Sequence, residues 1–427
     1  MAEPCGLLGF DSYHPDTLDY VSASHGGWGI VRMAAQIPEA HLLFVCPSAC
    51  GRHNALGSAL FDLKDRVHYL FLDADDIIGG DLSRMIPENV DALFEILGFS
   101  PPALLIFTAC IDDLMGTDHG PILEELHARH PETAFRHCTM NPISLDTPNP
   151  PGITTNAQMY SLLEKPVQPE KLRAVNLIGT NVAFRAENDL NQILRAHGYT
   201  VHHISDYERF ADMQEMARSR LNILTSPISR RVAQEMEKKL GIPYLTAFVN
   251  YDPAEIADFY RRLSEALGED FTAESEIFRE RAERRIAEVQ KLVWDYPVAI
   301  DYQAVLRPYT LAKMLIEHGF HVGMIASDGI SKLERASYEA LQKLAPELLI
   351  ENPLDHKAVR FPHEGEKYLC IGFDCGYMTG SDKVSSLMED TGLYAYDGIM
   401  LLMDEMEKAW TGGANVRQMI VDAGLII

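Results

Sequence analysis

The stretch AHLLFVCPSACGRHNAL, residues 40–56, carries the reading of the fold. A run of buried-type side chains reads as a strand and gives way to a loop. That loop holds Cys46 and Cys50, four positions apart, followed by Arg52 and His53. A core needs no second cysteine there, and a disulfide joins more distant points of a chain. The loop is suited to holding something soft.

Short apolar runs of this kind alternate with helical periods along the whole chain, which predicts parallel sheets with helices on both faces. VHYLFL (67–72), ALLIFT (103–108) and AFRHC (134–138) read as further strands of a first region. IPENVDALFEILG (86–98) reads as a helix, with Pro87 in its first turn and Gly98 at its end. The Pro-rich DTPNPPGITTN (146–156) and EKPVQPEK (164–171) read as a domain exit and linker. AVNLIG (174–179) opens a second region with strands TVHHIS, LNILTS and IPYLTAFV and the helices AENDLNQILRAHG and SRRVAQEMEKKLG. A long helix of mixed charge (274–296) leads to a third, with strands PVAIDY, HVGMIAS, ELLIEN and KYLCIGF. The expected fold is therefore α/β, with three Rossmann-like domains of mostly parallel sheets at 1–165, 166–272 and 273–427.

Composition narrows the function. The chain carries 37 basic against 62 acidic residues, a formal net charge of −25, which repels phosphate backbones and anionic membrane surfaces. MAEPCGLLGF lacks a basic, then apolar, secretory signal, and no apolar run is long enough to span a bilayer. Seven thinly spread cysteines do not resemble a disulfide framework. A cytoplasmic protein with reduced thiols is expected.

In a parallel sheet, ligands gather beyond the carboxyl ends of the strands. Cys46 and Cys50 follow one candidate strand, Cys110 follows ALLIFT after a single alanine, and Cys138 closes AFRHC. Thiolates meeting at one edge suit an iron–sulfur cluster or zinc, although Cys138 reads better as a small core hydrophobe. Cys370 and Cys375 in KYLCIGFDCGYMTG form a second candidate pair, against a core reading. Asp75–Asp76 and Asp112–Asp113 are candidate metal ligands or, more simply, helix caps. No P-loop, dinucleotide fingerprint, nucleophile elbow or zinc-protease helix occurs.

HGGWGIVRMAAQIPEAHLLFVCPSACG, DADDIIGGDLSRMI and FTACIDDLMGTD occur here in the order in which similar segments occur in the nitrogenase component 1 family, closest to its β-subunit branch. ARSRLNILTSP and QEMEKKLGIPYL resemble that family's middle domain, and LYAYDGIMLLMDEM its C-terminal Tyr-Asp-Gly helix. The resemblance covers nearly the whole chain. It implies a subunit of a nitrogenase-like reductase that binds an iron–sulfur cluster, 4Fe–4S or larger and P-cluster-like, at an interface with a homologous subunit. A heterotetramer, and a separate ATP-dependent iron protein that delivers electrons, are the implied partners. Cys50 and Cys110 match family ligands, and His25 or Cys46 would complete the shell. Where the α-subunit holds its large cofactor, this chain has Thr225 or Ser226 and Ser386, none a soft ligand. The rival expectations are a scaffold for cofactor assembly and a metal-free α/β ligand-binding protein.

Overall fold

The computed structural model describes residues 3–12, 18, 29–60, 62–144, 147–168, 170–356, 367–423 and 425. The strands among them run, in chain order, β1 (Glu3–Pro4), β2 (His41–Pro47), β3 (Val67–Leu72), β4 (Ala103–Thr108), β5 (Ala134–Thr139), β6 (Ala174–Ile178), β7 (Thr200–His202), β8 (Leu221–Leu224), β9 (Tyr244–Thr246), β10 (Val298–Asp301), β11 (Val322–Ala326), β12 (Leu349–Glu351), β13 (Leu369–Ile371) and β14 (Val384–Ser385). They form three sheets, ordered β3-β2-β4-β5, β7-β6-β8-β9 and β1-β12-β11-β10-β13-β14. The first two sheets are parallel throughout, and the third is parallel except where β1 meets β12. The fold is the mixed α/β architecture expected from the alternating pattern.

Two compact units hold these sheets. One comprises the described residues of Trp28–Ala183 and Gly198–Phe248 and carries the first two sheets. The other comprises those of Met1–Gly27, Phe184–His197 and Val249–Ile427 and carries the third.

The first sheet shows why its strands read as unbroken apolar runs. Leu42, Phe44, Cys46, Leu105 and Phe107 pack into a core on one face, with Ala157 and Tyr160 of the helix Pro151–Ser161. Leu43, Val45, Leu104 and Ile106 face the other way, against Ile86, Val90, Phe94, Ile122 and Leu126 of the helices Leu82–Leu97 and His119–Arg129. A strand buried on both faces has no polar side to alternate with.

Three boundaries differ from the sequence expectation. β2 runs on to Pro47, so Cys46 lies inside the strand, and Cys50 lies in a helix, Ser48–Leu60, rather than in a loop. Pro87 stands inside the helix Leu82–Leu97 instead of in its first turn. Leu82, Ile86, Val90 and Phe94 recur every fourth residue and are all buried, and burying four such side chains outweighs the roughly 3 kcal/mol cost of one internal proline. The expected linker at 146–156 instead starts the helix Pro151–Ser161, whose first residue is proline, where the missing N–H costs nothing.

Candidate functional site

Because β3, β2, β4 and β5 are all parallel, their carboxyl ends share one edge of the sheet. Two thiols leave the centre of that edge. Cys50 is the third residue of the helix that follows β2, and it is exposed. Cys110 opens the helix Cys110–Met115 that follows the neighbouring strand β4, and it is half-buried. Gly51 allows the first helix to start so close to the sheet. A Cβ there would stand 2.6 Å from Phe71 Cε1, 3.2 Å from Cys46 Sγ and 3.3 Å from Tyr69 Cδ1.

The other cysteines are placed differently. Cys46 is wholly buried in the core face of β2, and burial, with Cys50 nearby, pushes its thiol up to about 12. Cys138 is buried in β5 on the same core, and burial pushes its thiol up to about 12 as well, against the opposing pull of Thr155 and Arg136. Such thiols behave as small hydrophobes. Cys370 and Cys375 sit in the apolar core of the other unit among Phe373, Met378 and Val384. Cys370 Sγ contacts Tyr368 O and Thr379 Oγ1, each at 3.6 Å. Burial raises both thiols, that of Cys370 to about 12. His25 lies outside the described residues, and nothing is described of the His53 side chain.

Large apolar side chains stand in water along the same edge. Phe71 near the end of β3 is 48% exposed, Ile78 after it 84%, Leu114 after β4 75% and Ile143 after β5 72%. Scattered single apolar residues need no explanation, but four at or beyond the ends of β3, β4 and β5 in one sheet mark a surface suited to a partner.

The two acidic pairs part company. Asp73 caps the helix Ala74–Gly79, accepting from the amides of Asp75 and Asp76, and the Asp76 side chain returns a bond to the Asp73 amide. That is a capping box. Asp113 accepts from Asn141 Nδ2 at 2.5 Å. Asp112 is buried and accepts from His119 Nε2 at 2.6 Å. The His119 ring stacks on that of His137 with centroids 3.7 Å apart, and His137 Nε2 meets Thr108 Oγ1 at 2.9 Å. Burial works to raise Asp112, but His119 and the nearby hydroxyls of Thr117 and Thr108 outweigh it and hold the carboxyl below its ordinary value. Sequence reading missed His119 and His137. The available signal was His137 set inside an otherwise apolar strand, with His119 seven residues after Asp112 at a helix start.

The family model of nitrogenase component 1 type oxidoreductases matches residues 27–377. This chain belongs to that family. Solved structures agree on the fold: a chain of nitrogenase Cp1 at pH 6.5 matches with a TM-score of 0.67 and 16% identity, over 95% of each chain. Nitrogenase Cp1 at pH 5 matches with a TM-score of 0.61 and 12% identity, over 97% of this chain and 92% of that one. Among curated proteins there is no match.

Nitrogenase component 1 type proteins bind iron–sulfur clusters, and the exposed Cys50 and half-buried Cys110 at one sheet edge fit part of such a ligand set. Two accessible thiols are half of what a four-iron cage takes. Thr225 is buried, and its hydroxyl is committed to the carbonyl of Ile178 at 3.0 Å. Ser226 packs against Gly179, where a Cβ would stand 2.7 Å from its amide nitrogen. No helix among the described residues is long and apolar enough to cross a membrane.

Proposed function

We propose that this chain is a subunit of a nitrogenase-like reductase that shares an iron–sulfur cluster with a homologous subunit. Cys50 and Cys110 hold the cluster from this side, and the partner donates the ligands this chain lacks. The cluster supplies one-electron chemistry, and a separate ATP-hydrolysing iron protein supplies the electrons. The chain keeps the thiols at the sheet edge, and the apolar rim excludes water around them once the partner docks. We read the three α/β domains as 1–165, 166–272 and 273–427, in a soluble cytoplasmic complex.

One observation carries this reading: the two accessible thiols and the exposed Phe71, Ile78, Leu114 and Ile143 all lie toward one edge of one parallel sheet. A cluster closed by two chains needs ligands and an apolar contact surface in the same place. The test is anaerobic purification with and without a co-expressed homologous subunit, followed by iron analysis and electron paramagnetic resonance. The expected result is a reducible cluster only in the paired form. An isolated chain that keeps a complete cluster overturns the shared site. A pair devoid of iron points to a metal-free protein. Cluster release to an acceptor, without turnover on adding reductase and ATP, points to an assembly scaffold.

A further inference from the structure

Among the described residues, Asp112, His119 and His137 form the one group of three whose ligand atoms all lie within 4.8 Å of one another. We propose that this triad is a binding site for a divalent transition-metal ion, Zn²⁺ above all, distinct from the thiols of Cys50 and Cys110.

The donor set suits that ion. Two imidazoles and one carboxylate are borderline-to-hard ligands of the kind that hold zinc, at about 2.0–2.2 Å from the metal. Ligand atoms around a tetrahedral ion of that size stand roughly 3.3 Å apart. The His119 Nε2–Asp112 Oδ2 separation of 2.6 Å would open slightly to admit the ion, and no pair of ligand atoms is more than 4.8 Å apart. A metal ion lies in the plane of each imidazole that binds it, so the stacked His119 and His137 rings must also turn apart to admit the ion.

Each ligand is held by a different element. Asp112 belongs to the helix after β4, while His119 opens the helix His119–Arg129, whose start is fixed by Asp118 accepting from the Gly120 amide. His137 lies in β5, beside β4 in the sheet. His137 Nε2 stands 2.9 Å from Thr108 Oγ1; in the tautomer in which Nε2 donates there, Nδ1 carries the lone pair a metal takes, and a hydrogen bond of that kind is what orients metal-bound histidines.

Asp112 supplies the second, independent observation. It is 2% exposed, and its Oδ1 is buried without a well-formed hydrogen bond, although the Thr108 and Thr117 hydroxyls lie near the carboxyl. Buried carboxylate oxygens are normally satisfied. A metal ion seated beside the two imidazoles would satisfy this one, by bidentate binding or through a bound water.

The experiment uses the full-length protein, stripped of metal under anaerobic conditions and titrated with Co²⁺ and then Zn²⁺. One equivalent of Co²⁺ should bind with ligand-field bands and without intense sulfur charge transfer, and Zn²⁺ should displace it and raise the melting temperature. His119→Gln and His137→Gln should each weaken binding by about 100-fold or more, beyond what even an outer-shell partner costs. Cys50→Ser and Cys110→Ser should leave it unchanged. X-ray absorption of the zinc-loaded wild-type protein, which needs no variant to fold, should show nitrogen and oxygen neighbours only. Absence of binding, loss of binding in the cysteine variants, or sulfur in the zinc shell would each overturn the site.

Discussion

Arg185 lays its guanidinium across the carboxylate of Asp397, 212 positions later in the chain, with Nε 2.8 Å from Oδ2. Asp397 is 2% exposed, whereas Arg185 is 44% exposed. Beside this pair, Asn188 Nδ2 donates to the Tyr394 carbonyl at 3.0 Å, and Asp189 accepts from the amides of Tyr396 and Asp397. The short segment Phe184–His197 is thus tied to the start of the helix Ala395–Thr411, inside one compact unit. Its neighbours in sequence on both sides belong to the other unit.

Arg185→Ala should therefore destabilise the unit that holds the third sheet. Breaking a fully buried pair costs about 3–5 kcal/mol because a charge is left unpaired. Water can follow a partly exposed arginine, so about 2 kcal/mol is expected here. Urea unfolding of the variant measures this. A loss below about 0.5 kcal/mol, the range of ordinary surface pairs, would mean that Asp397 needs no partner.

Asp189 makes part of the stability depend on pH. Burial pushes its carboxyl up from 3.8 to about 6, although the amides of Asp397 and Tyr396 and the hydroxyl of Tyr260 favour the ionised form. A raised carboxyl binds its proton more tightly in the folded than in the unfolded chain. The resulting stabilisation is complete below about pH 3.8 and is lost as pH rises through about 6. Asp390 and Glu334 are raised in the same direction, to about 6 and about 7, so the wild-type curve alone would not isolate Asp189. The difference from Asp189→Asn does. Between pH 4 and pH 8 that difference should move in favour of the asparagine variant by on the order of 2 kcal/mol. Denaturant unfolding at the two pH values checks it, and a constant difference would place the titration elsewhere.

Gly398→Ala tests a close approach. A Cβ at this position would lie 2.7 Å from the backbone carbon of Leu393 and 3.1 Å from its Cα. Backbone cannot swing aside as a side-chain tip can, so the first turn of the helix must shift. A cost of about 1–3 kcal/mol is expected, as for an overpacked core. Elsewhere in a helix the same substitution stabilises by roughly 0.5–1 kcal/mol. The sign of the change in melting temperature decides between the two.

These contacts account for a motif that was legible in the sequence only by its resemblance. In the Tyr-Asp-Gly segment of the last long helix, Tyr396 stacks on Tyr260 and donates to the Pro253 carbonyl, Asp397 takes Arg185, and Gly398 admits Leu393. Periodicity located the strand Ala103–Thr108 to the residue, because a strand buried on both faces announces itself as an apolar run, and it located Val67–Leu72 as well, although that strand is only partly buried. It did not reveal that Pro151 begins a core helix, since proline at a first turn and proline in a linker look the same along the chain. The edge carrying Cys50 and Cys110 was legible from strand ends alone. The triad of Asp112, His119 and His137 was not, for its members come from three elements and meet only once the sheet is paired.

The thiols themselves give the last prediction. Cys50 and Cys110 are accessible at the carboxyl edge, while Cys46 and Cys138 lie in the core with thiols pushed up to about 12 by burial. A ligand thiol must lose its proton to bind metal, and only an accessible one meets a cluster approaching from the partner's side. In the paired complex, Cys50→Ala and Cys110→Ala should each remove most of the iron. Cys46→Ala and Cys138→Ala should keep it, and should instead lower stability by about 1–2 kcal/mol through the cavities they leave. Iron content and melting temperature, measured together on the four variants, separate the two roles. If Cys46→Ala loses its iron while its melting temperature holds, Cys46 turns out of the core to complete the ligand shell, and the third ligand is found inside the strand rather than outside the described residues at His25.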